Sequence, residues 1–267
     1  MKKNLLLLFS IILFSFAFSG CTKDDKTINI FSVDDDIRLG KQFDDELLSK
    51  PAEYPVLDSA SNVAAYAHLY RIRNTILASG KLIYANRFPW RCRIRKNDTV
   101  INAFCVPGGY IYVYTGIIKL LDNEAQFAGV IGHEMTHADR RHTTDMLTLN
   151  YGVDLLLQLV LGSKPTQVES ILADLAKGLG ELAYSRDNEY EADQYAVRYL
   201  YVTEEDAPSL GDFFTKISSQ SQPPAFLSTH PSPADRLAKI NQEFQTLGGI
   251  HGGLFPERYQ EFKNLLP

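Results

Sequence analysis

Cysteine is scarce in this chain: there are three in 267 residues, and only Cys92 and Cys105 lie beyond Cys21 near the amino terminus. At most one bridge is open to those two, so a disulfide framework is excluded. Clusters of lysine and arginine are also missing. With a formal net charge of -5, the chain lacks the electrostatic footprint of a nucleic-acid binder. Its densest basic run, Arg91 to Lys96, reads as one solvated strand face. No repeat of fixed period appears, which excludes a tandem binding array. Beyond the leader, no apolar run is long enough to span a bilayer. What is present is ordinary globular composition, 45% hydrophobic and 22% charged, ample for one sizeable core.

Lys2 and Lys3 precede a continuous apolar run from Leu5 to Phe18, and Ser19 and Gly20 then lead to Cys21. That is a charged n-region and an h-region short for a bilayer span, with an uncleaved anchor as the alternative. The small residues before the cysteine resemble a bacterial lipobox, with Phe18 an atypical occupant of its first position. The resemblance implies cleavage before Cys21, lipidation of Cys21 and a mature protein anchored outside the cytoplasm. We expect a signal peptide over 1–20, a polar tether over 21–30 and a single domain over 31–267.

Ser32 and Asp35 stand in capping-box spacing ahead of Ile37, Phe43 and Leu47, which predicts a first helix ended by Pro51 and Pro55. A second is expected from Ala60 to Leu77. From Lys81 to Tyr114, β-branched and aromatic residues between turn signals predict a small sheet. Within it Cys92 and Cys105 would flank a hairpin turning near Asn97-Asp98, where a bridge is permitted but not required. Pro107-Gly108-Gly109 reads as a tight turn, and "YIYVY" as an exposed or edge strand. Thereafter helices dominate: one capped by Asp122 or Asn123, then Met146–Leu161, Val168–Leu182, Arg186–Tyr201 and Ser209–Ser218. A last long helix should open at Ser232-Pro233 with Asp235 completing its capping box. The fold class is α+β, mainly helical.

The sharpest motif is "HEMTH". His133 and His137, four residues apart on a helix, project from one face and can converge on one ion. Glu134 lies about 100° around the helix, beside the ion, where a carboxylate could take a proton from a water. The surrounding "AQFAGVIGHEMTHA" is apolar nearly all round, as a central buried helix requires. A third ligand is needed. His142 does not fit HExxHxxGxxH, since Arg140 and Thr143 occupy the places where that motif has glycine and histidine. Extended along the helix it faces away from the ligand side, and with Arg140 and Arg141 suits the helix C-terminus. In "YSRDNEYEADQYAVRYL", Glu189 and Asp193 share an apolar stripe, while Glu191 falls on the water-facing side. Two carboxylates on an apolar stripe need partners. A metal on Glu189, with Asp193 accepting from a ligand histidine's second N–H, supplies both.

"NAFCVPGGYIYVYTGIIKLL", "EAQFAGVIGHEMTHADRRH", "SRDNEYEAD" and "STHPSPADRL" occur in the order and context of one family. They resemble the minigluzincin metallopeptidases of family M48, typified by HtpX, BepA and the CAAX prenyl endoproteases. The likeness runs from about Phe31 to Leu247 and is strongest to periplasmic lipoprotein members. It implies a zincin-like fold with a central HExxH helix. It also implies one Zn2+ per chain on His133, His137 and Glu189, Glu134 as general base and Asp193 behind a ligand. The "HP" histidine, His230, would reach the site as transition-state stabiliser or as an inhibiting extra ligand, and Arg236 is associated with it. Asn102, Ala103, Phe104 and the strand after Gly109 would pair with an extended substrate. The implied activity is endopeptidase cleavage of misfolded or mis-assembled envelope proteins from the outer membrane, more on its periplasmic face than at the surface. A metal-stabilised module that holds clients without cutting them is the alternative, and Glu134 weighs against it because a structural site needs no base.

Overall fold

The computed structural model describes residues 29–163, 165–177, 182–231 and 234–267. The expected leader and Cys21 lie outside the described residues. No helix among those described is long and apolar enough to cross a membrane.

The first helix, α1 (Val33–Ser49), opens on the expected capping box: Asp35 N donates to Ser32 Oγ at 3.1 Å, and Ser32 N donates to the Asp35 carboxylate at 2.9 Å. After α2 (Val63–Ala78) come the strands β1 (Arg91–Arg95), β2 (Ala103–Val106) and β3 (Tyr110–Tyr114), in spatial order β1-β3-β2. The β2–β3 pair is antiparallel, joined through Gly108 and Gly109 at φ of 76° and 81°. Only glycine takes such angles without cost.

The sheet corrects several expectations. The strands bearing Cys92 and Cys105 do not form a hairpin, because β1 pairs in parallel with β3 instead. Each cysteine lies opposite Ile111 from its own side of β3, so two strand spacings, roughly 9–10 Å, separate them. That exceeds the reach of a disulfide, and both are buried free thiols. "YIYVY" is the central strand, buried at every residue. Nor is the basic run a solvated face: Arg91 and Lys96 are exposed, but Arg93 pairs with Asp44 and Arg95 is buried, donating to Tyr114 Oη at 2.6 Å.

Beyond α3 (Thr115–Leu120) runs α4 (Glu124–Asp139), capped by Asn123, whose Oδ1 accepts from Gln126 N at 2.9 Å. Every residue of α4 is buried. The helix expected over 146–161 is two, α5 (His142–Tyr151) and α6 (Val153–Val160), divided at Gly152 with φ of 79°. Then come α7 (Pro165–Lys177), α8 (Arg186–Leu200), α9 (Ser209–Ser218) and α10 (Ala225–Thr229). The last expected helix starts later than its motif suggested, as α11 (Arg236–Thr246), with Ser232 and Pro233 outside the described residues. Asp235 makes no cap bond; its carboxylate accepts from Tyr190 Oη at 2.6 Å. A separate α12 (Pro256–Asn264) follows.

The core gathers around α4, against α8, α9, α2 and the sheet. A Cβ on Gly132 would lie 3.4 Å from that of Ala196, and these small residues let α4 and α8 approach closely. The start of α4 is pinned by charge. Glu124, wholly buried, pairs with Arg71 and Arg258, and Glu205 is buried beside it. Burial, then the hydrogen bond and charge of Glu124, push the Glu205 carboxyl up to about 9. Burial opposes ionisation of Glu124, but Arg71, Glu205 and Arg258 outweigh it and hold that carboxyl low. Glu205 therefore binds its proton more tightly folded than unfolded. Its stabilisation is full below the ordinary value of 4.5 and drains as pH rises towards about 9. Glu205→Gln should accordingly melt near wild type at pH 5 and above it at pH 8.5. A melting-temperature difference that does not change with pH would contradict the assignment.

Candidate metal centre

Four buried donors meet at the middle of α4. His133 and His137 lie one turn apart, with their Nε2 atoms 3.0 Å from each other. From α8, Glu189 sets Oε1 3.4 Å from His137 Nε2 and Oε2 3.6 Å from His133 Nε2. His230, just past α10, brings Nδ1 to 3.2 Å from His133 Nε2 and 3.1 Å from Glu189 Oε1. None of the four is exposed. Zinc bonds of about 2.0–2.1 Å give a tetrahedron with edges of roughly 3.3–3.4 Å. The observed separations bracket that edge. Buried lone pairs so close repel unless a cation lies among them, so the donor set fits zinc.

A charged frame stands behind the donors. His133 Nδ1 is 2.9 Å from Asp193 Oδ1, so its N–H donates outward and its Nε2 lone pair faces inward. The buried Arg236 donates to both oxygens of Asp193, from Nε at 2.7 Å and Nη2 at 2.6 Å, and its Nη1 lies 2.6 Å from Glu189 Oε2. Burial alone would raise the Glu189 carboxyl, but Arg236 and His230 hold it well below the usual range. Burial pushes His137 well below an ordinary imidazole, favouring the neutral form that ligates. His230 is raised: burial lowers it, but Glu134 and Glu189 prevail.

Glu134 follows His133 in sequence and is wholly buried, with Oε1 3.4 Å from His230 Nε2. Neither of its oxygens accepts a hydrogen bond from a described residue. Burial pushes its carboxyl up, against the pull of His230 and His133. A carboxylate so poised can take a proton and give it back.

Three placements depart from the sequence reading. His142 does not face away: its Nδ1 sits 3.1 Å from His137 Nδ1, on the side opposite the donors. Glu191 is not solvated but lies between His142, at 2.9 Å, and Arg140, at 2.6 Å. Gly109 does not begin a free edge, since its carbonyl accepts from Arg91 N at 2.9 Å and β3 is paired on both sides. Sequence reasoning also missed Tyr184, whose ring stacks on His137 with centroids 3.7 Å apart. Its position just before the "SRDNEYEAD" stretch was the one available signal.

Of the other substrate-strand candidates, Ala103 and Phe104 lie on β2, which is an edge, and Asn102 directly precedes it. Tyr114 N donates to Asn102 O, so in the antiparallel alternation Ala103 turns its main-chain groups away from β3. The side chain of Phe104 goes to the second core and stacks on Tyr112. The Asn102 side-chain amide is fully buried, with neither nitrogen nor oxygen hydrogen-bonded among the described residues.

An HExxH helix whose histidines meet a carboxylate from a later helix, beside a small sheet, defines a zincin-type metallopeptidase. The model of Peptidase family M48 matches residues 67–244, and the chain belongs to that family of zinc metalloproteases. It is 32% identical over 155 residues to the beta-barrel assembly-enhancing protease of Escherichia coli (strain K12), covering 53% of this chain and 32% of the relative. To the putative beta-barrel assembly-enhancing protease of Vibrio cholerae it is 31% identical over 154 residues, covering 52% and 32%. To the mitochondrial metalloendopeptidase OMA1 of Arabidopsis thaliana it is 34% identical over 153 residues, covering 55% and 30%. The chain thus spans about a third of the length of these curated relatives. Family and site together make the chain a metallopeptidase.

Proposed function

We propose that the protein is a zinc endopeptidase that cleaves unfolded or mis-assembled proteins of a Gram-negative cell envelope. One observation carries the reading: His133, His137 and Glu189 converge, with a buried Glu134 beside them whose oxygens accept no hydrogen bond from a described residue. Zinc held by those three residues would supply Lewis acidity to activate a water and polarise a peptide carbonyl. Glu134 takes the proton from the attacking water and passes it to the leaving amine. Asp193 and Arg236 keep His133 and Glu189 aimed. His230 has two roles within reach. Its Nδ1 lies among the donors, where it closes the fourth position, and turned outward the same ring can donate to a developing oxyanion. The substrate strand lies along β2, on the outward main chain of Ala103 next to Phe104, and the Asn102 amide takes one of its peptide groups.

The names of the bacterial relatives, enhancers of β-barrel assembly, support envelope proteins as substrates. The lipobox-like leader supports a lipid on Cys21, a tether over 21–30, one catalytic domain over 31–267 and a site at the periplasmic face of the outer membrane. Digestion of an unfolded outer-membrane barrel protein, beside its folded form, tests the reading with Glu134→Gln as control. Cleavage of the unfolded form by wild type alone is expected. Equal cleavage by the variant, or none by the zinc-loaded wild type, would overturn it.

A further inference from the structure

We infer that His142, held from behind by Glu191 and Arg140, is the positioning residue that fixes the proton and the aim of His137. This rests on the reading of His137 as a metal ligand. The two donor histidines of α4 are held differently. His133 leans directly on a carboxylate, whereas His137 Nδ1 meets His142 Nδ1 at 3.1 Å. The far nitrogen of His142, Nε2, is 2.9 Å from Glu191 Oε2. An ionised carboxylate can only accept, so His142 Nε2–H donates to it. Ligation through His137 Nε2 puts that ring's proton on Nδ1, which requires a neutral His142 with its Nδ1 lone pair towards His137. His137 must donate Nδ1–H into that lone pair, which leaves its Nε2 lone pair facing Glu189 and His133.

The relay is anchored at its outer end. Arg140 clamps Glu191 Oε1 through Nε and Nη2, both at 2.6 Å, and its guanidinium lies over the Tyr195 ring. His142 is wholly buried, so solvent cannot substitute for it. Tyr184, stacked on the His137 face at an interplanar angle of 19°, resists tilting of the ring. Stack and relay together leave His137 one orientation. The backbone makes this possible: Arg141 takes a left-handed conformation, φ 62°, between α4 and α5, which swings His142 back towards His137. That conformation is costly for arginine, and bonds from its guanidinium to Asp36 and to the carbonyls of Phe31 and Ser32 hold it.

The test uses the full chain with zinc, then with cobalt(II) as a spectroscopic substitute. His142→Leu fills the space but offers no acceptor; His142→Asn restores one, because its Oδ1 overlays the histidine Nδ1. Zinc affinity by chelator competition should fall about 10–100-fold in His142→Leu and recover largely in His142→Asn. The visible cobalt spectrum should shift in the first variant and return in the second. His137→Ala, run alongside, separates two failures. If it keeps wild-type zinc affinity, the ligand reading is wrong. If it loses zinc while His142→Leu keeps wild-type affinity and spectrum, or if His142→Asn is no better than His142→Leu, the relay is wrong. Should His142→Leu fail to fold, Glu191→Gln replaces it: a weaker loss of affinity is expected, and unchanged affinity and spectrum would overturn the relay.

Discussion

Glu134→Gln should stay folded and metal-loaded yet cleave an unfolded protein more slowly by a factor on the order of 10²–10⁴. The substitution preserves shape, and no hydrogen bond to either carboxylate oxygen is present to be lost. Burial already disfavours a charge at this position, so the neutral amide should not cost the fold. What disappears is the ability to accept a proton at the reacting centre and return it to the leaving amine. The loss should fall on kcat rather than KM, because Glu134 lies beside the donors and acts on the proton rather than on the substrate's main chain. Steady-state kinetics beside a zinc assay checks this. Activity within a few-fold of wild type, in a variant that still holds zinc, would remove Glu134 from the mechanism.

Arg236→Met should cost the metal-free protein about 3–5 kcal/mol. Arg236 is fully buried and touches the carboxylates of both Glu189 and Asp193, with its guanidinium 3.9 Å from the Phe214 ring centroid. Methionine can fill the apolar part of that space. It leaves two buried carboxylates without their cation, and those raise the cost. Zinc compensates one of them, so the penalty should shrink when the metal is bound. Thermal melts with chelator and with saturating zinc would show a wide gap between variant and wild type in the first and a narrower one in the second. Equal melting with chelator would mean that Arg236 does not neutralise the frame.

Sequence patterns made the centre of the molecule legible wherever the relevant order was local. The four-residue spacing of His133 and His137 and the apolar stripe carrying Glu189 and Asp193 are properties of single helices, and α4 and α8 form as expected. Pairing between distant segments was not legible. Cys92 and Cys105 suggested a hairpin because turn signals lie between them, but the parallel β1–β3 contact depends on how the sheet packs against α4. His142 was misplaced for a different reason. Counting five residues beyond His137 assumes a continuing helix, and the left-handed Arg141 ends that continuity. Its stabilising partners, Asp36 and the carbonyls of Phe31 and Ser32, lie about a hundred residues away. Glu191 likewise looked solvated until His142 and Arg140 were brought over it.

The central claim is that a helix pair supplies one metal site, with Glu189 completing what the HExxH histidines begin. Native mass spectrometry of the zinc-loaded wild type beside Glu189→Ala tests it most directly. The account predicts one zinc per wild-type chain and loss of that zinc from a folded Glu189→Ala chain under the same conditions. Retention of zinc by Glu189→Ala, or a folded wild type that takes up none, would contradict it.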